Sequence, residues 1–209
     1  KKKIKKIIGL KIEKILRRSK YLLFYFNNDY IMLIHLGMTG KFFFVNEKNE
    51  KTKTSFYYDI NEDNDKKHNH IIFNLSKNQK LIYNDVRKFG FIKLFKKSDL
   101  SHNFHLKKLG PEPLKNEFNL FYVKKYIVNR NRSVKDLLMD QKFVSGLGNI
   151  YVNEILFSSS VKPTRKIQKL SDKQIGRIIR NTKTILSKAI NSGGSSIKDF
   201  SSSSGKKGS

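Results

Sequence analysis

The stretch Gln141-Lys142-Phe143-Val144-Ser145-Gly146-Leu147-Gly148-Asn149-Ile150-Tyr151 constrains this chain more than any other. It reads as a glycine-punctuated turn between two helices, one over 133–140 and one over 149–160. Two glycines spaced by a single residue allow left-handed backbone angles and close approach to a ligand. Asn149 stands where a helix N-cap is wanted. The bare amides of such a turn, with the positive end of the following helix, make an anion site. The chain carries 44 Lys+Arg against 17 Asp+Glu, a net charge of +27. In so basic a chain the expected anion is a nucleic-acid phosphate.

The charge also has a plainer explanation. Lysine far outnumbers arginine, Ala189 is the single alanine, and tryptophan is absent. Residues with A/T-rich codons are enriched, so part of the lysine excess is compositional drift onto a solvated surface. The arginines are then the more informative cations.

Cysteine is absent, which excludes a disulfide framework, thiolate metal ligands and a cysteine nucleophile within these residues. No apolar run is long enough to span a membrane. His68 and His70, with His102 and His105, have no recognisable metal-ligand spacing, so no metal site is expected.

Residues 12–45 read as strands broken by turns at Asn27-Asn28-Asp29 and at Gly37 to Gly40. Residues 46–67 are polar and read as a loop. Further strands are expected over 71–75, 80–83 and 89–95. Beyond Gly110-Pro111-Glu112-Pro113 the periodicity turns helical, over 118–129, 133–140, 149–160 and 171–191. Ser171 with Gln174 forms a capping box, and the last helix stops at Ser192-Gly193-Gly194. The fold class is α+β. The expected domains are a β-rich N-terminal one over 1–112, a helical one over 113–192, and a loop with a flexible tail over 193–209.

Several short segments, in order, give the chain a family likeness: Arg17-Arg18-Ser19-Lys20-Tyr21, His35-Leu36-Gly37-Met38-Thr39-Gly40, Lys67-His68-Asn69-His70, Asn84-Asp85-Val86-Arg87-Lys88-Phe89-Gly90, Leu109-Gly110-Pro111-Glu112-Pro113, the glycine turn, and Gly193-Gly194-Ser195-Ser196-Ile197-Lys198. The chain resembles formamidopyrimidine-DNA glycosylase, the bacterial base-excision repair enzyme for oxidised purines. The resemblance implies a β-sandwich-like N-terminal domain, a helix–two-turns–helix domain, and a DNA cleft between them. It implies damaged duplex DNA as partner, a monomer, and a cytoplasmic, nucleoid-associated location.

Residue by residue, the likeness implies the following roles. Lys20 matches the family's catalytic lysine, which hydrogen-bonds or protonates near the reacting base or sugar. Asn149 would donate to a phosphate at the lesion, and Lys135 would reach the same backbone. Arg130 and His68 match further DNA-contact positions. Met38, Arg87 and Phe89 match a wedge that fills the hole left by a flipped nucleotide. Ser195, Ser196 and Lys198 match the loop that closes over the lesion. Local sequence alone allows Asn149 as a plain cap, and it favours Lys135 as a solvated lysine and Met38 and Phe89 as β-domain core.

Two family features have no counterpart in the 209 residues: the N-terminal proline nucleophile with its glutamate, and the four-cysteine zinc finger. The expectation is either an internal piece of a complete enzyme or a decayed gene. It follows that the chain alone would bind an oxidised-purine duplex without nicking it, needing no cofactor of its own. Three alternatives stay open: a non-catalytic damage-binding remnant, an RNA-binding protein sharing the helix–turn element, and the sister family for oxidised pyrimidines, endonuclease VIII. The wedge trio favours the purine enzyme.

Overall fold

The computed structural model describes residues 4–54 and 66–192. Ser195, Ser196 and Lys198 lie outside the described residues. The chain divides into two compact units. One holds Tyr21–Lys97 with the segment up to Arg17 and the chain from Ala189; the other holds Ser98–Lys188 together with Arg18–Lys20.

The first unit contains two four-stranded antiparallel sheets. Sheet one comprises β1 (Ile12–Arg18), β2 (Tyr21–Phe26), β3 (Tyr30–His35) and β8 (Phe91–Lys96), in the order β1-β2-β3-β8. Sheet two comprises β4 (Gly40–Val45), β5 (Lys51–Thr54), β6 (Asn69–Asn74) and β7 (Lys80–Asp85), in the order β5-β4-β7-β6. Aromatic and β-branched residues favour these pleated segments, and the two-residue period of the pleat puts every second side chain on the inner face. Phe24 and Phe26 of β2, Met32 and Ile34 of β3, Phe42 of β4 and Tyr83 of β7 form one buried cluster. The sheets therefore pack face to face, as a sandwich. The β2–β3 turn is fixed by the Asn28 side chain, whose Oδ1 accepts from the Tyr30 amide at 3.0 Å.

The polar stretch read as a loop over 46–67 contains β5 at its start and a 3-10 turn, Lys66–His68, at its end. Its charged residues hid the strand because β5 is an edge strand, where lysine is tolerated.

Two crossovers carry the chain between sheets. Residues 36–39 join β3 to β4, and residues 86–90 join β7 to β8. Their ends are matched by register: His35 pairs with Phe91, and Gly40 pairs with Asp85. The crossovers therefore run side by side at one end of the sandwich.

The second unit holds α1 (Leu120–Ile127), α2 (Val134–Met139), α3 (Asn149–Ser158) and α4 (Asp172–Asn191) as far as Lys188. Asn119 caps α1 and Ser133 caps α2, each side chain accepting from an amide of the first turn. Before α4, the Ser171 amide donates to Gln174 Oε1 at 3.1 Å and the Gln174 amide to Ser171 Oγ at 3.3 Å, the expected capping box. Leu137, Leu138, Phe143, Leu147, Val152 and Ile155 are all nearly inaccessible and centre a single core. The glycine turn is thus anchored by the apolar residues inside it.

Candidate nucleic-acid interface

The glycine turn differs from expectation at one residue. The N-cap of α3 is Gly148, in extended conformation (φ −126°), and it supplies no side-chain cap bond. Asn149 is the first helical residue and is exposed. The left-handed position is Gly146 alone, at φ +106°. An asparagine cap would have occupied the first-turn amides. A glycine cap leaves them uncovered by any side chain, and Asn149 keeps its amide group facing outward.

The turn is held from within. Gln141 Oε1 accepts from the Gly146 amide at 2.8 Å, while its Nε2 donates to the carbonyls of Met139 and Leu147 at 3.0 Å each. Asp140 accepts from the Lys142 amide at 2.9 Å and from Arg132 at 2.6 Å. The Asp140 carboxyl lies below the ordinary carboxylate range: burial pushes it up, but these donors outweigh burial.

The Arg18–Lys20 turn is seated on this loop, within the second unit. Arg18 donates to Ser145 Oγ at 2.7 Å and to the carbonyl of Gly110 at 2.7 Å, and its guanidinium is 3.6 Å from Glu112. The Ser19 amide donates to Glu112 Oε1 at 2.7 Å, and Ser19 adopts a left-handed φ of +57°. Lys20 Nζ donates to the carbonyl of Leu147 at 2.8 Å. The Gly110-Pro111-Glu112-Pro113 segment, read from sequence as a breaker and as one of the family-like segments, is thus the clamp that fixes this turn. Desolvation lowers the pKa of the Lys20 ammonium from the ordinary lysine value. Lys20 as a whole residue remains exposed.

At the sandwich end, the side-by-side crossovers bring Met38 to Arg87 and Phe89. Arg87 Nη1 lies 3.4 Å from Met38 Sδ, and Arg87 Cζ lies 4.6 Å from the centre of the Phe89 ring. Met38 is 48% exposed and Phe89 57%, so neither belongs to the β core. Arg130 is also exposed and stacks its guanidinium on Tyr126, 4.2 Å from the ring centre. Lys135 sits in the first turn of α2, half-buried, its amide donating to the carbonyl of Pro163 at 3.2 Å. His68 ends the 3-10 turn before β6 and is half-buried. His70, not His68, contacts the Asp85 carbonyl, at 2.8 Å.

Sequence reasoning missed Thr39, Asp85, Glu112 and Gln141. Asp85, Thr39 and Glu112 were visible only as members of family-like segments. Gln141 had no local signal. No group of three or more metal-binding side chains occurs among the described residues. No helix among them is long and apolar enough to cross a membrane.

The family model for the formamidopyrimidine-DNA glycosylase N-terminal domain matches residues 1–92, and that for the family's H2TH domain matches residues 109–201. The formamidopyrimidine-DNA glycosylase of Rickettsia bellii (strain OSU 85-389) is 39% identical over 202 residues, covering 97% of this chain and 68% of that protein. The chain belongs to the formamidopyrimidine-DNA glycosylase family. The enzyme of the same name from Listeria innocua is 41% identical over 202 residues, again covering 97% of this chain and 68% of the relative. Among solved structures, the Lactococcus lactis Fpg bound to abasic-site DNA superposes with a TM-score of 0.81 at 33% identity, covering 100% of this chain and 71% of that one. MutM in complex with DNA containing carbocyclic 8-oxo-G gives 0.80 at 33% identity, covering 94% and 68%. The glycosylase family thus accounts for both units and for the order of the segments that carry the site.

Proposed function

We propose that this chain recognises oxidised purines, 8-oxoguanine and formamidopyrimidines, in duplex DNA and takes part in their excision by base flipping. Schiff-base AP lyase nicking belongs to the complete enzyme. The observation that carries the reading is the exposed Met38–Arg87–Phe89 cluster. An enzyme that extrudes a nucleotide must occupy the gap it leaves. The thioether of Met38 suits the vacated stack, the Arg87 guanidinium suits hydrogen bonds to the orphaned base, and the Phe89 ring suits stacking beside it.

The remaining residues take supporting roles. The uncovered amides at the start of α3 suit a phosphate, with Asn149 donating beside them. Lys135, Arg130 and His68 add backbone contacts, which position the duplex without reading its sequence. Lys20, held at Leu147 and partly desolvated, is the group that meets the reacting nucleotide. Ser195, Ser196 and Lys198 are proposed for the lesion loop. The proposed division is a β-rich domain over 1–112, a helical domain over 113–192 and the loop and tail over 193–209. The chain is proposed to act as a monomer in the bacterial cytoplasm at the nucleoid. The cysteine-free sequence offers no thiolate for zinc, and zinc enters the reading only through the complete enzyme's finger.

The test is a fluorescence titration with duplexes that differ at one position: guanine, 8-oxoguanine, or a tetrahydrofuran abasic analogue. Tighter binding to the altered duplexes is expected, with unstacking of a neighbouring 2-aminopurine. Equal affinity for all three, with no fluorescence change, overturns the reading.

A further inference from the structure

Asp85 is fully buried in the first unit. A buried carboxylate is tolerated only when donors surround it. Asp85 is met by neutral ones: Thr39 Oγ1 donates to Oδ1 at 2.5 Å, while the Tyr83 hydroxyl and the Gly90 amide donate to Oδ2 at 3.0 and 2.8 Å. Thr39 uses the same oxygen to accept from the Arg87 amide at 3.0 Å. One carboxylate therefore ties the crossover that carries Met38 to the crossover that carries Arg87 and Phe89.

The two crossovers are also packed backbone against backbone. A Cβ on Gly37, whose φ is +68°, would stand 2.7 Å from the Gly90 nitrogen and 2.8 Å from the Phe89 carbonyl carbon. A Cβ on Gly90 would meet the Tyr83 hydroxyl and the His35 and Leu36 carbonyls. Neither loop can shift alone without breaking a bond to Asp85 or opening this contact. Hydrogen bonds in so dry a place are stiff, and losing an acceptor strands its donors.

We propose that Asp85, acting through Thr39, is the positioning residue of the wedge: it holds Met38 on one crossover in register with Arg87 and Phe89 on the other. This rests on the wedge reading given above. The cluster's side chains are exposed and joined only by weak contacts, a hydrogen bond from the Arg87 guanidinium to the Met38 sulfur and a cation–ring stack. Their mutual placement must come from the backbone beneath them, and Asp85 is where the two backbones are joined. A preorganised wedge enters the stack as one body, and a loosened one must first be ordered at the expense of binding.

The Asp85→Asn side chain has nearly the same shape but cannot accept from all three donors at once. With the chain folded, the preference for a tetrahydrofuran duplex over an undamaged one should fall about tenfold, equivalent to about 1.4 kcal/mol. Affinity for undamaged duplex should stay within about twofold, since phosphate contacts supply it. Thr39→Val should lower the preference in the same direction, and Thr39→Ser, which keeps the hydroxyl, should restore it. The Thr39 pair carries the test if the Asp85 variant does not fold. Met38→Ala and Arg87→Ala are the reference arms. If they lower the preference while Asp85→Asn and Thr39→Val leave it intact, the positioning role is wrong and the wedge stands. If Met38→Ala and Arg87→Ala leave it intact, the wedge reading fails and takes this inference with it. A loss for Thr39→Ser, which drops only the methyl, as large as that for the isosteric Thr39→Val would show that the hydroxyl relay does not by itself set the register, and would also overturn it.

Discussion

Lys20 and Leu147 are 127 residues apart in sequence, yet the ammonium of one donates to the carbonyl of the other at 2.8 Å. The lysine proposed to meet the reacting nucleotide is thus built onto the glycine turn proposed to hold the phosphate. Arg18, Ser19 and Glu112 fix the backbone of Lys20, and Gln141 fixes that of Leu147 through the same carbonyl. Disturbing either side should move the ammonium relative to the α3 amides.

The first prediction concerns the Lys20 ammonium. Desolvation lowers its pKa. For a lysine this means that the charged form costs stability when the chain folds, a cost present at neutral pH. It fades as pH rises from the folded pKa toward the unfolded one. An NMR titration of the lysine Cε signals should show Lys20 losing its proton before the exposed lysines. A Cβ on Gly148 would come to an ordinary 3.5 Å from Lys20 Nζ, so Gly148→Ala should fold and shift that titration lower still. A Lys20 signal that titrates with the bulk would refute this.

Binding should be strongly salt-dependent, and the two sets of cations should separate. The slope of log K against log salt is expected to approach about −0.9 per neutralised phosphate. Lys135→Ala should weaken all duplexes alike and reduce the slope by about one. Arg87→Ala should instead blunt the preference for the base opposite the lesion, with little change in slope. Titrations at several salt concentrations with each opposing base separate these outcomes, and uniform losses for Arg87→Ala would reduce it to a backbone contact.

Asp140 should matter to stability in a pH-dependent way. Its folded pKa is depressed, so its contribution is fully present above the ordinary carboxylate pKa. It is lost as pH falls through the depressed value. Its bonds to Arg132 and to the Lys142 amide are charge-assisted, so Asp140→Asn should cost about 1–3 kcal/mol at neutral pH. The difference from the parent should shrink in acid. Urea unfolding at the two pH values measures both, and an equal deficit at each would be the wrong result.

Gly176 lies inside α4, and a Cβ added there meets nothing within 4 Å. Alanine removes backbone freedom from the unfolded chain at no steric cost. Gly176→Ala should therefore stabilise the second unit by about 0.5–1 kcal/mol and leave DNA affinity unchanged. A lower melting temperature for the variant would contradict the open environment.

The strands and helices were legible because their signals are local. The short apolar runs Tyr21–Phe26 and Tyr30–His35, bounded by turn residues, the capping box at Ser171, and the glycines around Leu147 each act within a few residues. The edge strand Lys51–Thr54 was not legible, since lysine and threonine serve an exposed edge as well as a loop. The cap before α3 was misplaced by one residue because asparagine and glycine both suit that position, and only φ and ψ distinguish them.

What the sequence determined by itself was the order of elements, the glycine turn between two helices, and the identities of Met38, Arg87 and Phe89. What the tertiary structure decided was which of these residues are available and what holds them. Composition allowed Met38 and Phe89 to be core residues; the crossovers place them outside it, at 48% and 57% exposure. Asp85 stood in the sequence only as a member of a family-like segment; burial surrounds it with the donors of Thr39, Tyr83 and Gly90. The physical reason is range: propensity and periodicity act along the chain, whereas desolvation and hydrogen bonding depend on neighbours that only folding supplies.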